Sequence, residues 1–395
     1  MAVFTVGDYL AERLSQIGIL SEIGCANELN CSLAAEGYVR ANGVAACIVT
    51  YNVGAFSAFN GTGSAYAEYL PLILISGSPN TNDAAQFHQL HHTLGTSDFA
   101  YQLQMAEKIT CSAVAVGRVQ DAPRLIDRAI RAALISKRPA YIEIPTNLSG
   151  APCARPGPIS AVVDPIQSDN DSLLAAIDCS AEYLSGKEKL IILVGPKVRR
   201  AAADTELLRL AEAIGCAVVV QPAAKGSFPE DHPQYAGIFW GQVSTLAADS
   251  ILNWTDAIVC VGVAFTALMI AGLDHIFFPG AMFGRVHLRD FLSGLEKMVH
   301  RNETTLTEYN RICPDPSLIE ASSSMALLTR KEMSRQVQLL LTAETTLFVD
   351  TGDSWFNGIN MKLPQGTKFE IEMQWGHIGW SIPAGFGYAV AEPQR

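Results

Sequence analysis

Six short runs of this chain are apolar along nearly their whole length, not at every second residue: VAACIV, LPLILIS, AYIEI, KLIILV, CAVVV and AIVCV. A strand that is apolar on both faces needs cover on both faces. Helices packed above and below a parallel sheet provide that cover. The intervening segments supply the helices: VGDYLAERLSQIG, NELNCSLAAEGYVRANG ending on Gly43, NVGAFSAFNGTGSAYAEY opening at Asn52 and Gly54, DAPRLIDRAIRAALISK and DTELLRLAEAIG. Their apolar periodicity and their Asn and Gly boundaries are helix signals. Strands and helices alternating at this spacing predict α/β domains with doubly wound parallel sheets.

Three blocks follow from the punctuation. The Pro-rich stretch APCARPGPISAVVDP separates a first domain, residues 1–155, from a second, 166–325. The Ser-rich IEASSSM then leads into a third block, 326–395, with the helix MALLTRKEMSRQVQLLL, the strand TTLFVD, the turn TGDSWFN and the Gly-rich WGHIGWSIPAGFGYAVA. One clear strand is too little for an independent α/β domain, so this block is expected to be the start of a larger one. The second block has a doubly wound pattern, but no GxGxxG or GxxxxGK[ST] follows its strands. It is therefore expected to be scaffold and not a nucleotide site.

Charge and cysteine usage narrow the function classes. The net charge is −11 and no Lys/Arg-rich run occurs, which argues against nucleic acid as a partner. With only 17% charged residues, much surface is expected to be hidden in cores or between subunits. The N-terminal MAVFTVGDYLAERL carries Asp8, Glu12 and Arg13 and reads as an amphipathic helix, not a signal peptide. The uncharged AIVCVGVAFTALMIAGL, between Asp256 and Asp274, falls just short of a spanning helix and begins with β-branched residues. It is expected to be strand, with no membrane contact. Nine scattered cysteines without a CxxC read as reduced thiols in a soluble, cytoplasmic protein.

The segment HQLHHTLG, His88 to Gly95, places His91 and His92 side by side. Adjacent side chains diverge, so the pair is poorly placed to grip one metal ion. Imidazole titrates near neutrality, and proton transfer is the chemistry that uses it. For an arbitrary His-His pair, a turn cap beside an exposed ring is the commoner arrangement.

Several segments, in order along the whole chain, resemble the bacterial-type pyruvate decarboxylases of the thiamine-diphosphate-dependent 2-oxo acid decarboxylase family. They are VGDYLAERLSQIG, NELNCSLAAEGYVRANG, GSAYAEYLPLILISGSPNTND, LHHTLGT, AAKGSFPEDHP, TGDSWFN and EMQWGHIGWSIPAGFGYAVA. The resemblance implies a pyrimidine-binding domain (1–155), a central domain (166–325) and the start of a diphosphate-binding domain (326–395). It implies thiamine diphosphate and Mg²⁺ as cofactors, a 2-oxo acid as substrate, and non-oxidative decarboxylation of pyruvate to acetaldehyde and CO2. An indolepyruvate or phenylpyruvate decarboxylase, or an inactive member that assembles with a longer partner, are the alternatives.

The same resemblance assigns residues. Glu28 matches the carboxyl that donates a hydrogen bond to the aminopyrimidine; without the resemblance it is an ordinary first-turn helix acid. His91 and His92 match a proton relay, while His88 is expected to be local. Thr50 matches a position near the cofactor. Gly376, His377 and Ile378 match the loop that shapes the cofactor, with the Gly376 carbonyl accepting from the pyrimidine amino group and Ile378 wedged between the rings. Asp353 matches a position beside the diphosphate, although such a residue also serves as a helix N-cap. The implied site lies between subunits of a dimer or tetramer, with Glu28 of one facing Gly376 and Ile378 of another.

Three departures stand out. Between Gly18 and Cys25 only ILSEIG stands where the family has a strand, a turn carrying a relay aspartate, and a helix. After Phe265, FTALMIAGL joins two pieces that the family keeps apart, so a strand fused to a later strand is expected there. No GDG…NN segment precedes Arg395, so the Mg²⁺ ligands are expected to lie outside this chain.

Overall fold

Local signals fix the first two helices. Thr5 caps α1 (Val6–Gln16) in a reciprocal box: its hydroxyl accepts from the Asp8 amide at 3.2 Å and its own amide donates to Asp8 at 2.9 Å. Asn27 caps α2 (Glu28–Asn42), accepting from the Asn30 amide, and Gly43 ends it in the left-handed region at φ 88°. Asn52 precedes α3 (Val53–Ala67). The computed structural model describes residues 3–86, 88–164, 167–263, 269–278, 280–313 and 329–395. The chain forms two compact units, one of residues 1–166 with 374–395, the other of residues 167–373.

In the first unit, β1 (Ala45–Val49), β2 (Leu72–Ser78), β3 (Ser112–Ala115) and β4 (Ala140–Pro145) form an all-parallel sheet ordered β1-β2-β4-β3. Successive residues of one strand go to opposite cores. Ile73, Ile75 and Ile142 pack with Ile126 and Ile130, whereas Leu72, Leu74 and Tyr141 pack with Ala55, Ala58 and Phe59. This is the two-faced burial that the continuous apolar runs require. The C-terminal helix, Ser381–Ala391, lies against α2, where Gly37 and Gly387 bring the two backbones into close approach.

The second unit carries seven strands: β5 (Leu190–Val194), β6 (Val218–Val220), β7 (Tyr235–Ile238), β8 (Ala257–Val261), β9 (Met269–Ala271), β10 (His275–Phe278) and β11 (Ala281–Gly284). Their order is β11-β10-β9-β8-β5-β6-β7, parallel from β9 to β7 and antiparallel at β10 and β11. A parallel pair, β12 (Thr346–Val349) and β13 (Lys368–Ile371), completes the described strands.

The apolar run that follows Asp256 contributes two separate strands, β8 and β9, paired in parallel; residues 264–268 between them, which include the Phe265 junction, lie outside the described residues. No helix among the described residues is long and apolar enough to cross a membrane. The Ser-rich joint at 319–325 also lies outside them.

Where the family was expected to have an extra strand, residues 19–25 run without regular structure. The sheet does not close over the gap. β1 remains its edge strand, Ile48 is 69% exposed, and an open cleft lies between residues 19–25, α2 and β1.

Candidate active site

The first unit builds a crevice at the carboxyl ends of β1 and β2, where ligands of open parallel sheets bind. Glu28 opens α2 as its first helical residue and is half-buried. Its carboxyl lies against the start of α3: a Cβ on Gly54 would come 3.0 Å from Glu28 Oε1, so glycine leaves the acid its place. Thr50, just past β1, is exposed, and its carbonyl accepts from the Ala55 amide at 3.0 Å.

The histidine pair approaches the same helix end by a different route. The rings of His91 and His92 are exposed and their centroids lie 3.9 Å apart, tilted by 45°. His92 has a left-handed backbone, φ 58°. Its carbonyl accepts from Asn52 Nδ2 at 2.5 Å, and the same amide group donates to the Tyr101 hydroxyl at 2.6 Å. Asn52 thus ties the histidine loop to the first turn of α3, beside the glycine that accommodates Glu28. Its Oδ1 is buried with no hydrogen-bond partner. His88 makes only a local contact, 3.1 Å from Asp83 Oδ1.

Behind Asn52 runs a buried polar chain that no sequence motif announced. The Asn52 amide donates to Gln102 Oε1 at 2.5 Å, Gln102 Nε2 donates to Ser76 Oγ at 3.1 Å and to the Tyr141 hydroxyl, and Tyr141 donates to Glu143 Oε2 at 2.7 Å. Burial pushes the Glu143 carboxyl above the usual range, partly offset by hydrogen bonds from Tyr141, Gln102 and Ser78. The positive φ of Asn52, 56°, was the feature that could have drawn attention to it, and that is visible only in the fold.

The WGHIGW loop belongs to this unit too, but it does not meet Glu28 in the same chain. The Trp375 ring lies over Gly63 and its Nε1 donates to Asn60 Oδ1 at 2.9 Å, while the Gln374 amide donates to Glu68 Oε1 at 2.9 Å. Gly376 is left-handed at φ 75° and Ile378 is 78% exposed. His377, half-buried, sits between them. The following helix runs antiparallel to α2: Gly37 faces Ala384, and Ala34 faces Gly387. Trp380, at its start, stacks with the Arg40 guanidinium, 4.8 Å from the ring centre. Arg40 lies twelve residues along α2 from Glu28, roughly 18 Å at the helical rise. One chain therefore places Glu28 and the loop of Gly376 and Ile378 at opposite ends of α2.

Asp353 lies in the second unit, at the first position of the helix Asp353–Asn360, with Arg330 Nη1 3.2 Å from its Oδ1. Among the described residues, no group of three His, Cys, Asp or Glu is arranged to hold a metal ion.

The residues present fit the pyrimidine end of a thiamine cofactor. A half-buried carboxyl at a helix N-terminus faces a position kept free of a side chain, an unsatisfied buried amide oxygen lies one turn away, and a bare aliphatic side chain stands on a loop opened by a left-handed glycine.

Comparison with known proteins extends these observations. Residues 4–101 match the profile of the thiamine pyrophosphate enzyme N-terminal TPP binding domain, and residues 177–290 match that of the thiamine pyrophosphate enzyme central domain. The chain is 60% identical to a pyruvate decarboxylase of Neurospora crassa over 428 residues, covering 99% of this chain and 75% of that protein. It is 52% identical to a probable pyruvate decarboxylase of Schizosaccharomyces pombe, again over 99% and 75%. Pyruvate decarboxylase 1 of Nicotiana tabacum is 37% identical, over 92% of this chain and 91% of the relative. These relatives are fungal and plant proteins, so the bacterial type expected from the motifs is not supported. The Neurospora alignment runs over 428 positions against 395 residues here, so at least 33 of its positions have no residue in this chain.

Proposed function

Because this chain belongs to the pyruvate decarboxylases, within the thiamine pyrophosphate enzymes, we propose that Glu28, His91 and His92 carry its catalysis and that Thr50, Gly376, His377, Ile378 and Asp353 hold its cofactor. The reaction is the non-oxidative decarboxylation of pyruvate to acetaldehyde and CO2. Thiamine diphosphate, with Mg²⁺ as its usual partner, supplies the electron sink that amino-acid side chains lack. The observation that carries the assignment is Glu28 at the N-terminus of α2 with the space beside it reserved by Gly54.

Each residue has a task set by its place. Glu28 would donate a hydrogen bond from its carboxyl to the aminopyrimidine of the bound cofactor. The Gly376 carbonyl would accept from the amino group of the same ring. Ile378 supplies an apolar wedge that competes for no hydrogen bond. His91 and His92 exchange protons with substrate and product at the mouth of the crevice, held in place by the bond between Asn52 and the His92 carbonyl. Asp353 serves the diphosphate end, and residues 326–395 form the start of the diphosphate-binding domain beside a pyrimidine-binding domain (1–155) and a central domain (166–325).

A second copy completes the site. The antiparallel register of the C-terminal helix on α2 supports this, since it keeps Glu28 and Ile378 of one chain at opposite helix ends. A dimer is the smallest assembly that works, and a tetramer fits as two such dimers. A cytoplasmic setting suits nine cysteines that form no disulfide.

The test is acetaldehyde release from pyruvate with thiamine diphosphate and Mg²⁺ present. Glu28→Gln keeps the shape but not the acid, and is expected to lower turnover by about a hundredfold or more. Turnover near that of the unaltered protein would show that the acid has been misassigned.

A further inference from the structure

Three thiols converge where α2 faces the open edge of the first sheet. Cys31 Sγ, on α2, lies 3.2 Å from Cys47 Sγ, on β1, and Cys25 hydrogen-bonds Cys31 from the irregular segment ahead of the helix. Cys47 is buried, whereas Cys25 and Cys31 are half-buried and line the cleft beside β1 together with Ile23, Ala34, Tyr38 and Ala46. The cleft occupies the place where the relatives' additional residues were expected. Small solutes can therefore reach Cys31, which a further strand would cover.

From this geometry we infer that Cys31 is a peroxide-reactive thiol that forms a reversible disulfide with Cys47. The sulfurs already face one another across a helix–strand contact, and one member of the pair opens to solvent.

The electrostatics agree. Hydrogen bonding from Cys47 foremost, and from Cys25, holds the Cys31 thiol down at about 7, against burial. Cys25 is pushed up to about 11 and Cys47 well above the ordinary thiol range, so both remain protonated donors. The N-terminus of α2 adds its partial positive charge: the Cys31 amide belongs to the first full turn, bonded to the Asn27 carbonyl at 2.9 Å.

The reaction balances with a hydroperoxide as oxidant. The Cys31 thiolate attacks one peroxide oxygen, the O–O bond breaks, and the departing oxygen takes a proton to leave as water or an alcohol. Cys31 is then a sulfenic acid. Cys47 attacks its sulfur, giving up the thiol proton, and the hydroxyl leaves as water. Two thiols have lost two electrons to the peroxide, and a dithiol reductant returns them.

Peptide mapping tests the inference. Trypsin cuts at Arg13, Arg40 and Lys108, so Cys25 and Cys31 share the peptide 14–40 while Cys47 is the one cysteine of 41–108. After brief hydrogen peroxide treatment and thiol blocking, the intact protein is expected to yield these two peptides joined by a dithiothreitol-sensitive bond. Cys25→Ser should retain the link. Cys47→Ser should lose it and leave Cys31 trapped by dimedone. At neutral pH Cys31 should react with peroxide roughly tenfold faster than the exposed Cys179, in keeping with the lowered pKa of the Cys31 thiol. A bond confined to peptide 14–40, loss of the link in Cys25→Ser, or a Cys31 rate no higher than that of Cys179 would each overturn the inference.

Discussion

At the residue scale, Asn52 joins the histidine loop to α3 through a backbone at φ 56° and partners forty and forty-nine residues away. The proposed roles of Glu28, His91 and His92 came from the resemblance of their segments, whereas nothing in the sequence marked Asn52. Asn52→Ala removes the donor to the His92 carbonyl and to Tyr101 together. It should cost about 2 kcal/mol in a denaturant melt, within the range for partly buried hydrogen bonds, and should speed amide exchange in residues 91–95. Unchanged exchange there would show that the loop is held by something else. Glu143 gives a pH-dependent counterpart. Its folded-state pKa is raised by burial, so the native state binds its proton more tightly than the unfolded chain does. The associated stability is full below the unfolded carboxyl value and falls as pH rises through the raised one. Glu143→Gln keeps an acceptor for Tyr141 and removes the charge. It should flatten this dependence and melt higher than the unaltered protein at neutral pH; a variant whose stability still falls with pH over that window would place the effect on another group.

At the element scale, the continuous apolar runs announced the parallel strands because burial on both faces leaves an unambiguous mark. β1, β2, β4, β5, β6 and β8 all arise from such runs. β3, of sequence SAVA, is short and has no such mark, and the antiparallel strands β10 and β11 also went unread. Equally hidden was the seat of the C-terminal helix, whose SIPAGFGYAVA reads only as Gly-rich. Its purpose appears in the crossing: a Cβ on Gly37 would collide with the Ala384 backbone and one on Gly387 with that of Ala34. The helices approach to backbone contact over α2, the helix that begins with Glu28. Gly37→Ala must push them apart, and a loss of about 3 kcal/mol is expected, the scale of overpacking a tight core. Gly186→Ala, at a position with nothing within 4 Å, should stay within about 0.5 kcal/mol and serves as the control. Equal melting of the two variants would mean that the helices are not held at this distance in solution.

At the scale of the whole molecule, the register that brings Gly37 and Gly387 into close approach bears on the proposal that two chains share a site. Glu28 and the loop of Gly376 and Ile378 sit at opposite ends of α2, so increasing the affinity of one chain for the cofactor cannot bring them together. The proposal of a shared site came from resemblance, because no pattern within one chain states which copy supplies which side of a pocket. Mixed assemblies separate the two possibilities. Glu28→Gln and Ile378→Ala are each expected to be strongly impaired alone. Co-expressed, a dimer holding one copy of each has one site that takes Glu28 from one chain and Ile378 from the other, and a second site carrying both defects. Random pairing makes half the dimers mixed, so about a quarter of the unaltered activity should return when sites are shared across a two-fold interface. Sites completed within one chain would give no more than the average of the two impaired parents, and that outcome would require Gly376 and Ile378 to leave α2 and fold back toward Glu28.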